Sequence, residues 1–93
     1  MRIAKVDKNQ PEIVEALRKA GAKIKHTHTV PNLFDILVFK DGKTYCVEIK
    51  TDHKQKLTPG ELKCKKDMES AGVKYWVITS IDEALEMLIT YNE

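Results

Sequence analysis

Cysteine is scarce: Cys46 and Cys64 are the only two in 93 residues. One pair cannot build the multi-bridge framework of a small secreted domain. Their spacing makes no zinc pattern, and neither His26 nor His28 stands at ligand spacing from them. Both are read as small buried hydrophobes in a reducing compartment. No apolar run approaches membrane-spanning length, and residues 1–9 lack the apolar stretch of a signal peptide. The expectation is a cytoplasmic protein. Repeats and low-complexity tracts are absent. A large excess of one charge is absent too: 16 basic against 14 acidic residues leave a formal charge of only +2. The protein as a whole is therefore not a strongly basic nucleic-acid binder.

Hydrophobic residues make up 42% of the chain and charged residues 32%, an ordinary globular balance. The length suits one domain over 1–93, with a core so small that oligomerisation is a natural way to bury more surface. Charge is uneven locally. Lys50, Lys54, Lys56, Lys63, Lys65 and Lys66 bracket one turn, offset by Asp52 and Glu61. Such a patch suits a phosphate backbone, and equally a solvated loop and helix face.

Along the chain, Met1–Val6 reads as a short opening segment. A helix is predicted from Pro11, suited to a first turn, to Ala20, with Gly21 as its stop and Ile13, Leu17 and Ala20 as its stripe. Lys23–Thr29 reads as a strand. Leu33–Phe39 is an apolar run broken by one acid, Asp35, which suggests a central strand. Asp41-Gly42 signals a two-residue hairpin, and Lys43–Lys50 is the returning strand. After the polar stretch Asp52–Leu57, Thr58 caps a helix from Pro59 to about Ala71, with Gly72 as its stop. Val73–Thr79 is a strand. Ser80 to Glu83 is a capping box that opens a last helix to about Tyr91, with Ile81, Leu85 and Leu88 inward. The order α-β-β-β-α-β-α predicts an α/β fold with a mixed central sheet flanked by helices.

Carboxylates inside such a sheet demand a reason, because burying a charge costs several kcal/mol unless it is paired or bound to a cation. Strand alternation puts Glu48 and Lys50 on one face and Tyr45, Val47 and Ile49 on the other. In a hairpin turning at Asp41-Gly42, Asp35 reaches the same end of the sheet as Glu48. Two converging carboxylates suit Mg²⁺, which takes one or two of them and keeps waters and a substrate phosphate. The Ile49 carbonyl lies between the side chains as a further oxygen ligand. Lys50 beside the ion would orient or help deprotonate a water, or stabilise charge on phosphate.

With these residues in place, the chain from Asn9 to Leu88 resembles the PD-(D/E)XK nucleases, and more narrowly the stand-alone VRR-NUC domains of phages and prophages. Glu48-Ile49-Lys50 matches the E-x-K signature. Phe34-Asp35 stands where that family has Pro-Asp, keeping the acid and losing the proline. Leu57-Thr58-Pro59-Gly60-Glu61 resembles L-[ST]-P-x-Q, with Glu61 in place of the glutamine. Glu61, Cys64, Met68 and Ala71 share one helical face, with Leu62 opposite. Glu12 matches the acid of the opening helix, where a first-turn charge is the plain alternative. His28 resembles a histidine that precedes the Pro-Asp segment.

The resemblance implies a restriction-endonuclease-like core and a Mg²⁺- or Mn²⁺-dependent DNA endonuclease. It implies catalytic residues Glu12, Asp35, Glu48, Lys50 and Glu61, and an ion on Asp35, Glu48 and the Ile49 carbonyl. DNA contacts would fall to His28, Lys54, Lys56, Lys63 and Lys66. A homodimer acting on branched DNA, including four-way junctions, follows from the resemblance alone. The alternative is a catalytically impaired DNA-binding module on the same fold, for which Glu61 in place of glutamine is the support. Tyr75 and Trp76 are read as core and interface, since Trp76 has no aromatic neighbours spaced as a stacking platform.

Overall fold

The Asp41-Gly42 dipeptide turns the chain as the sequence predicts. In the computed structural model, which describes residues 8–90, both residues have positive φ, 52° and 78°. That is the requirement of the tight turns that match strand twist. The turn joins β2 (Ile36–Lys40) to β3 (Lys43–Ile49) in antiparallel register, with Ile36 opposite Val47 and Lys40 opposite Lys43. β1 (Lys23–His26) pairs antiparallel with β2, and β4 (Tyr75–Ile78) lies parallel to β3. The sheet order is β1-β2-β3-β4, a mixed four-stranded sheet.

Two layers flank it unequally. Ile24, Ile36, Val38, Tyr45, Val47, Ile49 and Ile78 point to one face and form the core with α1 (Gln10–Lys19) and α3 (Ile81–Thr90). The other face carries Cys46, Glu48, Tyr75 and Val77. It meets α2 (Pro59–Ser70), a helix with no fully buried residue. The observed order α-β-β-β-α-β-α is the expected one. Among the described residues no helix is long and apolar enough to cross a membrane.

Several expectations need correction. The first strand stops at His26 rather than Thr29, because Thr27 turns its N–H onto the Asp35 carbonyl (2.8 Å) and its hydroxyl onto the Phe34 carbonyl (2.7 Å). β2 begins at Ile36, so Asp35 precedes the strand instead of interrupting it. In α1 the buried stripe is Gln10, Ile13, Val14 and Leu17, and Ala20 is exposed in the C-cap. In α3 it is Ala84, Met87 and Leu88, while Leu85 is only half-buried. Cys46 and Cys64 are half-buried free thiols rather than core residues. Tyr75 and Trp76 part company: Trp76 packs on the core, edge to face with Tyr45 at 6.0 Å, and Tyr75 lies on the α2 side. Met1–Val6 and Tyr91 fall outside the described residues.

The start of α1 is tied to the sheet by one side chain. Asn9 Nδ2 donates to the carbonyls of Lys50 (3.0 Å) and Thr79 (2.9 Å), at the adjacent ends of two parallel strands. Asn9→Ala removes both bonds and leaves two carbonyls without that donor. We expect it to lower unfolding free energy by roughly 1–3 kcal/mol, measured by urea denaturation.

Candidate functional site

Asp35 continues the line of pairing opposite Glu48, one step beyond Ile36 and Val47. Its N–H donates to the Val47 carbonyl (2.9 Å), and its Oδ2 accepts the Ile49 N–H at 2.7 Å. The side chain thus takes the place of a ladder partner where β2 ends. Within a strand, the N–H and C=O of one residue face the same neighbour. The Ile49 carbonyl therefore lies on the β3 edge that meets Asp35, while the Lys50 N–H turns the other way, to the Ile78 carbonyl at 3.0 Å.

Asp35, Glu48, Lys50 and Glu61 line one cleft of about 330 Å³. Its far wall is the segment His28–Phe34, and Gln55 and Thr58 close it from the α2 side. That wall is braced against α2 at Gly60, where a Cβ would sit 1.9 Å from Asn32 Oδ1. Any side chain at position 60 would force the Asn32 side chain out of its place.

Glu48 and Lys50 are each 4% exposed. Lys50 Nζ lies 2.7 Å from Glu61 Oε1 but 3.6 Å from Glu48 Oε2. The two distances decide which acid holds the ammonium: Glu61 does. Burial works against the Lys50 ammonium, but the Glu61 bond and then the Glu48 charge hold its pKa above the ordinary value. Burial likewise opposes Glu61 ionisation, yet the bonds from Lys50 and the Thr58 N–H keep its carboxyl below its usual range. Glu48 is left over. Burial, then the nearby charges of Asp35 and Glu61, push its pKa up to about 9 against the pull of Lys50. Three carboxylates face one ammonium in the cleft, and the imbalance falls on Glu48, whose protonated form is favoured.

Glu61 carries a second duty. Its Oε1 also accepts the Thr58 N–H (3.0 Å), while the Thr58 hydroxyl accepts the Glu61 N–H (3.2 Å), a complete capping box. The Thr58–Glu61 spacing is the signal for it in the sequence. The wheel reading of α2 holds for Glu61, Cys64 and Met68, which are half-buried, and for Leu62, 41% exposed; Ala71 is exposed. Past the cleft, the loop after β3 is fastened twice. Gln55 Oε1 accepts the Thr51 N–H (2.8 Å), and His53 Nε2 meets the Glu83 carboxylate. Sequence reasoning missed Asn32, Gln55 and Thr58 as cleft residues, and no periodic pattern marks the first two.

The remaining predicted residues are placed as follows. His28 lines the cleft from a turn, with Nδ1 buried and unpartnered. Lys54, Lys56, Lys63 and Lys66 are exposed, Lys63 pairing with Asp67 at 3.1 Å. Glu12 is exposed on α1 and does not line the cleft; the buried α1 residue of that turn is Gln10. Among the described residues, no group of three or more His, Cys, Asp or Glu side chains is arranged to hold a metal by itself. Mg²⁺ asks for less, one or two carboxylates with waters and substrate oxygens.

Among solved structures, the chain superposes on one titled "VRR_NUC domain" with a TM-score of 0.72 at 17% identity, covering 91% of this chain and 99% of that one. The chain therefore has the VRR-NUC fold. No family profile and no curated protein matches the sequence.

The electrostatics predict a stability change of definite sign. The folded pKa of Glu48, about 9, lies above an unfolded value of about 4.3. Folded protein then holds a proton that unfolded protein has lost, so this residue erodes stability as pH rises from about 4 to about 9. Glu48→Gln, which is never ionised, should unfold at a higher temperature than wild type at pH 8 in chelator. The difference should vanish near pH 4. Calorimetric scans across pH check this, and a less stable variant at pH 8 would contradict it.

Proposed function

We propose that this chain is a divalent-metal-dependent DNA endonuclease that hydrolyses phosphodiester bonds at the cleft of Asp35, Glu48 and Lys50. The observation that carries the reading is the surplus of negative charge there. A buried glutamate that stays ionised only at a cost, beside a second carboxylate, is a donor set that a hard dication neutralises. Asp35 and Glu48, with the Ile49 carbonyl, would hold Mg²⁺ or Mn²⁺. When bound, the ion lowers the pKa of its water and offsets charge on the phosphate.

The chain's own groups do the rest. Lys50 is kept charged by Glu61, so its task is to stabilise negative charge on a phosphate oxygen, not to take a proton. Asp35 is held in place by the Ile49 N–H. His28 lines the cleft, and its ring is assigned a contact with a phosphate oxygen. Lys54, Lys56, Lys63 and Lys66 bind the DNA backbone beside it. Glu12 is exposed and does not line the cleft, so we assign it a favourable first-turn charge. A homodimer would present two clefts to two strands, which suits branched DNA such as a four-way junction.

A second reading has one observation in its favour: the 2.7 Å Lys50–Glu61 bond commits one donor of the ammonium that a phosphate would need. On that reading the cleft is impaired and the protein binds DNA without cutting it. Cleavage assays on linear, nicked and four-way DNA with Mg²⁺ or Mn²⁺ separate the two. We expect cutting that Asp35→Asn or Glu48→Gln reduces by roughly 10²–10³-fold, on the scale of one lost electrostatic group. Intact DNA in every lane would leave the binding module. Replacing Lys54 and Lys56 together should weaken binding of all DNA shapes alike and lower the salt slope by about 2, measured by fluorescence anisotropy.

A further inference from the structure

Tyr75 is a core-like residue on the functional side of the sheet. It is 4% exposed, and its hydroxyl is buried with no hydrogen-bond partner among the described residues. A sealed hydroxyl without a partner is unfavourable, so native proteins satisfy most of them. Its surroundings suggest what it waits for. Tyr75 stands opposite Cys46 and Val77 opposite Glu48, so the tyrosine and the buried glutamate share the face that α2 covers. Burial first, and then the charges of Glu48, Glu61, Cys64 and Asp35, push the phenol far above its ordinary range. Glu48 stands first among those charges.

We propose that the Tyr75 hydroxyl is a positioning group for Glu48, donating a hydrogen bond to the glutamate oxygen that a bound dication leaves free. A ligand carboxylate fixed by such an outer donor is better aimed, and losing the donor typically weakens metal binding by 10–100-fold. The proposal rests on the metal-centre reading above and adds a residue to it. It assigns the hydroxyl a partner, which the ring's packing alone does not.

Titration calorimetry of the full chain with Mn²⁺ tests it, using wild type, Tyr75→Phe and, as a control on the opposite face, Tyr45→Phe. Tyr75→Phe should weaken Mn²⁺ binding on the order of tenfold, while its unfolding midpoint in chelator stays equal to wild type or rises. Tyr45→Phe should leave the ion affinity unchanged. Opposite effects on ion affinity and ion-free stability are not what a packing role would give. Wild-type affinity in Tyr75→Phe overturns the proposal and leaves the metal centre standing. A loss of ion-free stability in Tyr75→Phe, or equal weakening in Tyr45→Phe, also overturns it. Wild type that binds no Mn²⁺ overturns the metal centre and this role together.

Discussion

Everything at the cleft depends on the register of one hairpin. The two-residue turn at Asp41-Gly42 sets Ile36 against Val47, and the next step along that line sets Asp35 against Glu48. Side chains alternate with a period of two, so a slip by one residue would carry Glu48 and Lys50 into the core and turn Ile49 into the cleft. The core resists that slip, because Tyr45, Val47 and Ile49 are at most 1% exposed on the face covered by α1 and α3. Burying residues of that size contributes about 1.5–3 kcal/mol each. The same alternation that fills the core therefore delivers two charged residues to the opposite face, where a hydrophobic strand would not need them.

The two faces divide the work of the protein. One is dry, apolar and covered by two helices. The other meets only α2, which buries no residue completely. The polar link from α2 to the sheet is the Lys50–Glu61 bond, with the close approach of Gly60 to Asn32 beside it and the Thr58–Glu61 capping box fixing the start of the helix. A charged cleft needs this arrangement. Closing it with a tightly packed apolar helix would strand three carboxylates away from water. A thin polar cover leaves them reachable, while Glu48 and Lys50 stay buried enough to interact strongly. The raised pKa of Glu48 is the measure of the strain that remains, a local cost in stability of the kind functional sites carry.

The hairpin and the order of elements were legible because they follow from short-range rules: an Asp-Gly turn, alternation along β3, glycine and proline at helix ends. The meeting of Asp35 with Glu48 was legible for the same reason, since counting outward from a two-residue turn fixes the pairing. The failures all concern directions that local rules do not set. Glu12 and Gln10 sit two residues apart on one helical turn, and which of them faces inward depends on where α1 packs. The end of β1 could not be read from His26-Thr27-His28-Thr29, since it is decided by bonds from Thr27 to Phe34 and Asp35 across the sheet. Leu85 was expected inward, but Ala84 takes the fully buried position on α3, which packs against α1. Tyr75 was expected in the core or an interface, and it is buried, on the face that α2 covers.

Glu61 illustrates why a departure from a motif need not be a defect. A glutamine there would offer one carbonyl oxygen and an amide that cannot accept. The carboxylate offers two acceptor oxygens, and its Oε1 alone takes both the Thr58 N–H and the Lys50 ammonium. One side chain thus anchors the start of α2 and fixes the charge state of the lysine in the cleft. The accompanying charge adds to the burden at Glu48, whose ionisation is opposed first by burial, then by Asp35 and then by Glu61. A cleft with glutamine at that position would carry one negative charge fewer, a lysine less firmly held, and a weaker demand for a dication. The substitution strengthens the electrostatic case for a cation at the same time as it commits one donor of the group that would meet a phosphate, and these opposed effects share a single oxygen atom.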